Sequence, residues 1–74
     1  MPKLPRFTAR EIIAALEKVG FALVRQSGSH AIYKNGAGRR VTVPVHASKV
    51  LHPKLLKSIL RDADLTVEHL EELL

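Results

Sequence analysis

The 74-residue sequence contains no cysteine and no tryptophan. Without cysteine there is neither a disulfide framework nor a thiolate metal site, and on that ground alone cytosolic and secreted settings stay equally open. Aromatic residues are also scarce. Phe7, Phe21 and Tyr33 are the whole set, which leaves little material for stacking nucleobases, so a nucleic-acid partner would be held mainly by charge. No stretch approaches the roughly 20 apolar residues of a membrane span, and the opening MPKLPRF lacks the apolar run of a signal peptide. A soluble, cytoplasmic protein is expected, with no membrane partner. Repeats and low-complexity tracts are missing too. Carboxylates are few over most of the chain: Met1 to Lys54 holds ten basic and two acidic residues, whereas Leu55 to Leu74 holds two basic and five acidic ones. The cationic body suits a polyanionic partner, and the anionic tail suits something else.

What is present fits one small domain spanning residues 1–74. A core at this size supplies only about 3–5 kcal/mol of net stability, which argues against a deep substrate cavity. Thr8-Ala9-Arg10-Glu11 has the spacing of a capping box, followed by apolar Ile12, Ile13, Leu16 and Val19 on one helical side and a stop at Gly20. The run from Phe21 to Gln26 reads as a strand leading into a tight turn at Ser27-Gly28, with a second strand from Ser29 to Lys34. Asn35-Gly36-Ala37-Gly38 signals another turn. Arg39 to Val43 alternates so that Val41 and Val43 share a face, and Pro44, having no N–H to donate, ends that third strand. After a connection, Pro53 opens a helix carrying Leu55, Leu56, Ile59, Leu60 and Ala63. Asp62-Ala63-Asp64 interrupts it, and Thr66 caps a short last helix with Leu70, Leu73 and Leu74. The expected fold is α+β: an α-β-β-β-α two-layer sandwich with a three-stranded antiparallel sheet, one face left to solvent, and a short extra C-terminal helix.

Four histidines carry the possible chemistry. His69 reads as a solvated residue of the acidic last helix, and His52, just before Pro53, as a residue of the helix opening. His46 follows Pro44-Val45 in the connection. His30 starts the second strand directly after the Gly28 turn. Histidine exchanges a proton near neutrality, the service RNA cleavage needs: a base takes the 2′-OH proton, the oxygen attacks the adjacent phosphorus, and cations stabilise the developing charge. The scheme needs no metal and no cofactor. The plainer readings stand beside it: a strand histidine with no chemical role, a glycine any hairpin would need, and Arg25, Lys34, Arg39, Arg40 and Lys49 as solvated charges. Together those cations cluster around one hairpin, which favours phosphate contacts. Ser27 and Ser29 lack the histidine and carboxylate partners of a hydrolase triad, and His46 and His52 have no carboxylate or thiolate nearby in sequence to complete a metal shell. Whether His30, Ile32 and Lys34 or Ser29, Ala31 and Tyr33 face the open side of the sheet is ambiguous from their alternation.

Gly20-Phe21, Arg25-Gln26-Ser27-Gly28-Ser29-His30, Ile32-Tyr33 and Val41-Thr42-Val43-Pro44-Val45-His46, in that order, resemble the HicA toxins of HicAB toxin-antitoxin systems. The resemblance runs from the first helix through Leu60. It implies a fold like the double-stranded RNA-binding domain, an endoribonuclease (mRNA interferase) activity that arrests translation, and neutralisation by a HicB-like antitoxin. It also implies that His30, the histidine of Gly-Ser-His, is catalytic, with Gly28 and Ser29 forming the turn that presents it, and gives His46 a secondary role in RNA contact or local structure. Arg25, Ser29, Lys34, Arg39, Arg40 and Lys49 complete the expected RNA-binding set, with mRNA as the substrate. The chain departs from the family pattern at Lys54-Leu55, where Gly-Thr commonly opens the second helix, and at Asp64, where glycine is common. A non-catalytic RNA-binding module of the same fold is the alternative, and a protein whose basic face answers an acidic partner is a third.

Overall fold

The computed structural model describes residues 6–45 and 50–74. Their order is α1 (Ala9–Lys18), β1 (Ala22–Ser27), β2 (His30–Lys34), β3 (Arg40–Pro44), α2 (Pro53–Ala63) and α3 (Val67–Leu73). The strands form an antiparallel meander in the order β1-β2-β3, so the expected α+β arrangement is the observed one.

Each helix is started by a side chain that satisfies a backbone donor left over at its first turn. In α1 the Thr8 hydroxyl accepts from the Glu11 amide at 3.3 Å while the Glu11 carboxylate accepts from the Thr8 amide at 2.9 Å. In α2 the cap is His52, whose Nδ1 accepts from the Lys54 amide at 3.1 Å, with Pro53 in the first turn. Thr66 caps α3 by accepting from the His69 amide at 3.0 Å.

Two of the helices end in one geometry. At the end of α1 the Phe21 amide donates to the Leu16 carbonyl at 2.9 Å and the Gly20 amide to the Glu17 carbonyl at 3.2 Å, with Gly20 at φ 96°. At the end of α2 the Leu65 amide donates to Leu60 at 2.9 Å and the Asp64 amide to Arg61 at 3.2 Å, with Asp64 at φ 59°. Both are Schellman closures, and both turn an apolar residue back onto the core. The glycine expected at position 64 is replaced by an aspartate that takes up the same left-handed conformation.

Strand limits differ from the expected ones by a residue at several ends. Phe21 is buried and completes the α1 closure rather than opening β1. Ser27 pairs with His30, which confines the β1–β2 loop to Gly28 and Ser29. Gly28 has φ 58° whereas Ser29 keeps a negative φ, the type II′ pattern whose twist matches a hairpin. Pro44 still closes β3, opposite His30.

The core lies between the helices and one sheet face. Ile12 and Leu16 from α1, Leu56, Ile59 and Leu60 from α2 and Leu70 from α3 meet Ala31, Tyr33, Val41 and Val43. The helices pack on the sheet principally at β3, while every residue of β1 is exposed. A bridge between Thr8 and Val50, with the Leu51 amide donating to the Phe7 carbonyl at 2.8 Å, brings the chain leaving β3 back beside the start of α1.

Candidate nucleic-acid interface

Burial of Ala31 and Tyr33 settles the face of β2: His30, Ile32 and Lys34 point to the open side. Strand register then fixes three rows across that side. Ser27, His30 and Pro44 form the first; Arg25, Ile32 and Thr42 the second; Ala22, Lys34 and Arg40 the third. Successive rows are two residues apart along a strand, a step of about 6.6–6.8 Å. His30 therefore stands at one end of the surface and the Lys34–Arg40 pair at the other, with Arg25 between. No acidic residue stands in these rows, and Arg25, Lys34 and Arg40 make the face cationic.

The turn holding His30 is braced from both sides. The Ser29 carbonyl accepts from the Val45 amide, which ties the chain leaving β3 to the hairpin, and the Gln26 side chain donates to the Gly28 carbonyl at 3.4 Å. Ser29 thus acts visibly through its backbone. The β2–β3 connection is set by Asn35, whose Oδ1 accepts from the amides of Ala37 at 3.1 Å and Arg39 at 2.9 Å, and this places Arg40 opposite Lys34.

The expected cations do not all share one setting. Arg25, Lys34 and Arg40 lie together on the open face. Arg39 instead reaches the end of α2, where its guanidinium donates to the Asp62 carbonyl at 3.2 Å and lies 3.9 Å from the Asp64 carboxylate. His46 and Lys49 lie outside the described residues. His52 is engaged as a helix cap, and His69 is exposed on α3, so among the described histidines only His30 belongs to the open face. Among the described residues no group of three His, Asp or Glu side chains is placed to hold a metal ion, and no helix is long and apolar enough to cross a membrane.

Ile32 and Thr42 were not among the site residues expected from sequence, yet they occupy the middle row beside Arg25. The alternation of β3 already separated Arg40 and Thr42 from Val41 and Val43; the register to β2 was the missing datum. All three aromatic residues, Phe7, Phe21 and Tyr33, are buried in the core. The surface offers charge, hydroxyls and one histidine, and no aromatic platform. Burial pushes the Tyr33 phenol above its ordinary value, and the Glu17 carboxylate adds to the shift. Both effects act on the helix side of the sheet.

A family model for the HicA toxin of bacterial toxin-antitoxin systems matches residues 9–65. The chain belongs to the HicA toxin family. The match begins with α1, contains the whole sheet and ends at Leu65, the residue that completes the α2 closure. Membership assigns this HicA-family chain a toxin role and implies an antitoxin as its partner. No curated protein shows significant similarity to it. Helix α3 lies beyond the matched residues.

Proposed function

We propose that this toxin is a metal-independent endoribonuclease that cleaves mRNA in the cytoplasm, arrests translation and is neutralised by a HicB-like antitoxin. His30, at the end of an acid-free cationic face, carries the reading. In the proposed reaction a base removes the ribose 2′-OH proton, the 2′ oxygen bonds to the adjacent phosphorus, and the bond from phosphorus to the 5′ oxygen breaks. The departing 5′ oxygen takes up a proton, leaving a 2′,3′-cyclic phosphate and a 5′-OH. His30 serves as the general base or acid in this exchange, the role the Gly-Ser-His resemblance assigns it. Arg25, one row away, and Lys34 with Arg40, two rows away, bind phosphates and stabilise charge on the phosphoryl oxygens. The row spacing and the lack of aromatic platforms suit an RNA strand drawn along its backbone, with little reading of base identity by stacking.

The test is cleavage of a defined mRNA by wild type and His30→Ala in excess chelator, with the fragment ends examined. Wild type is expected to yield 2′,3′-cyclic phosphate ends, and the variant to lose roughly 10²- to 10⁴-fold in rate while keeping the wild-type circular dichroism spectrum. A folded His30→Ala protein cutting at the wild-type rate would refute the assignment. Salt-dependent RNA binding by both proteins without cleavage by either would assign the face to binding alone.

A further inference from the structure

Strand β1 is the least protected element of the fold. It is an outer strand of the sheet, all six of its residues are exposed, and the helices make their main sheet contacts at the opposite strand, β3. Leu23 and Val24 are 49% and 56% exposed. An outer strand in this state offers unpaired backbone donors and acceptors as a template for a further strand. The same strand carries one cation, Arg25, which belongs to the open face.

We infer that β1 is where the antitoxin docks, by adding an extended segment of its own beside Ala22–Ser27. The segment would set apolar side chains against Leu23 and Val24 and an acidic side chain near Arg25. RNA does not account for the Leu23–Val24 pair, since neither residue offers a charge or an aromatic face. Self-pairing of two toxins is opposed by charge. Antiparallel pairing about the middle of β1 brings the two Arg25 side chains near one another on chains that each carry a net charge of +5. An acidic strand removes that repulsion, and its position beside β1 puts the rest of the antitoxin within reach of Arg25 and His30.

This inference rests on the antitoxin partnership and not on catalysis by His30, so the two are tested by separate readouts. The full-length toxin and its Leu23→Ser/Val24→Ser variant are titrated with the full-length cognate antitoxin, and RNA binding by the free toxins is measured alongside. The variant is expected to bind antitoxin at least about tenfold more weakly with RNA binding unchanged, and amide hydrogen exchange across β1 is expected to slow in the wild-type complex. Wild-type antitoxin affinity in the folded variant would overturn the inference. So would a complex in which the β1 amides exchange as fast as in the free toxin, or concentration-dependent pairing of free toxin that protects β1.

Discussion

Replacing Leu70 by alanine asks whether α3, which lies past the family-matched residues, is an ornament or part of the cooperative unit. Leu70 is buried, with only 1% of its surface exposed, and it is the one buried residue of its seven-residue helix. Helix α3 packs on α1, and the Lys18 ammonium donates to the Leu73 carbonyl across the same contact. Leu→Ala changes at buried sites cost about 2–5 kcal/mol, more where the cavity cannot collapse. A short terminal helix can settle inward, which places this site near the lower end, about 2–3 kcal/mol. Against about 3–5 kcal/mol for a domain of this size, that is roughly 40% of the stability or more. Each kcal/mol corresponds to about 4–8 °C for such a chain, so the melting temperature should fall by roughly 8–24 °C. Urea unfolding followed by far-ultraviolet circular dichroism measures the loss, with thermal melts as a cross-check. A loss below about 1 kcal/mol would refute the reasoning, because it would mean that α3 frays independently of the helix it covers.

Other perturbations address single contacts. His52→Ala removes the α2 cap and should cost about 0.5–2 kcal/mol, whereas His52→Asp, a stronger cap at the same place, should recover that loss in urea titrations. At Asp64, with φ 59°, the glycine variant should be more stable than the valine variant by about 1–2 kcal/mol, since valine keeps a Cβ in the left-handed region and glycine does not; equal midpoints for the two variants would contradict the conformational argument. The raised pKa of Tyr33 means the folded state holds its phenolic proton more tightly than the unfolded chain does. Its contribution is complete below the unfolded value of about 10 and lost as pH rises through the folded one. Stability should therefore fall on the alkaline side of about pH 10, and Tyr33→Phe should make that fall shallower in unfolding curves measured against pH.

The helix starts were legible because caps are local: Thr8 with Glu11, Pro53 after His52, and Thr66 each lie within a turn of the donors they serve. Strand order was legible because both turns are short. The face taken by His30 was not, since Ala31 and Tyr33 alternate with Ile32, and nothing within β2 distinguishes a buried alanine from a half-buried isoleucine. That choice is made at a distance. α1 and α2 press on Val41 and Val43, and cross-strand pairing passes the decision to β2. Arg39 and Arg40 are likewise adjacent in sequence, yet the end of α2 claims one and the open face keeps the other. The left-handed turn at position 64 was hidden for a different reason, because aspartate is a common residue just past a helix and does not announce that conformation as glycine does.

Pairing across β1 and β2 shifts between Leu23 and Arg25, leaving Val24 as one extra residue in the ladder. Strands ordinarily assign odd and even positions to opposite faces along their whole length, but β1 changes parity at Val24. Odd-numbered Arg25 and Ser27 share the face of His30, and so does even-numbered Ala22, opposite Lys34. Had the ladder run on unshifted, Leu23 would have stood opposite Lys34 and set a leucine among the cations. A single uncounted residue therefore lets one six-residue segment serve two surfaces in two reading phases, and pairing Val24 into the ladder would exchange them over its first half without altering any charge in the protein.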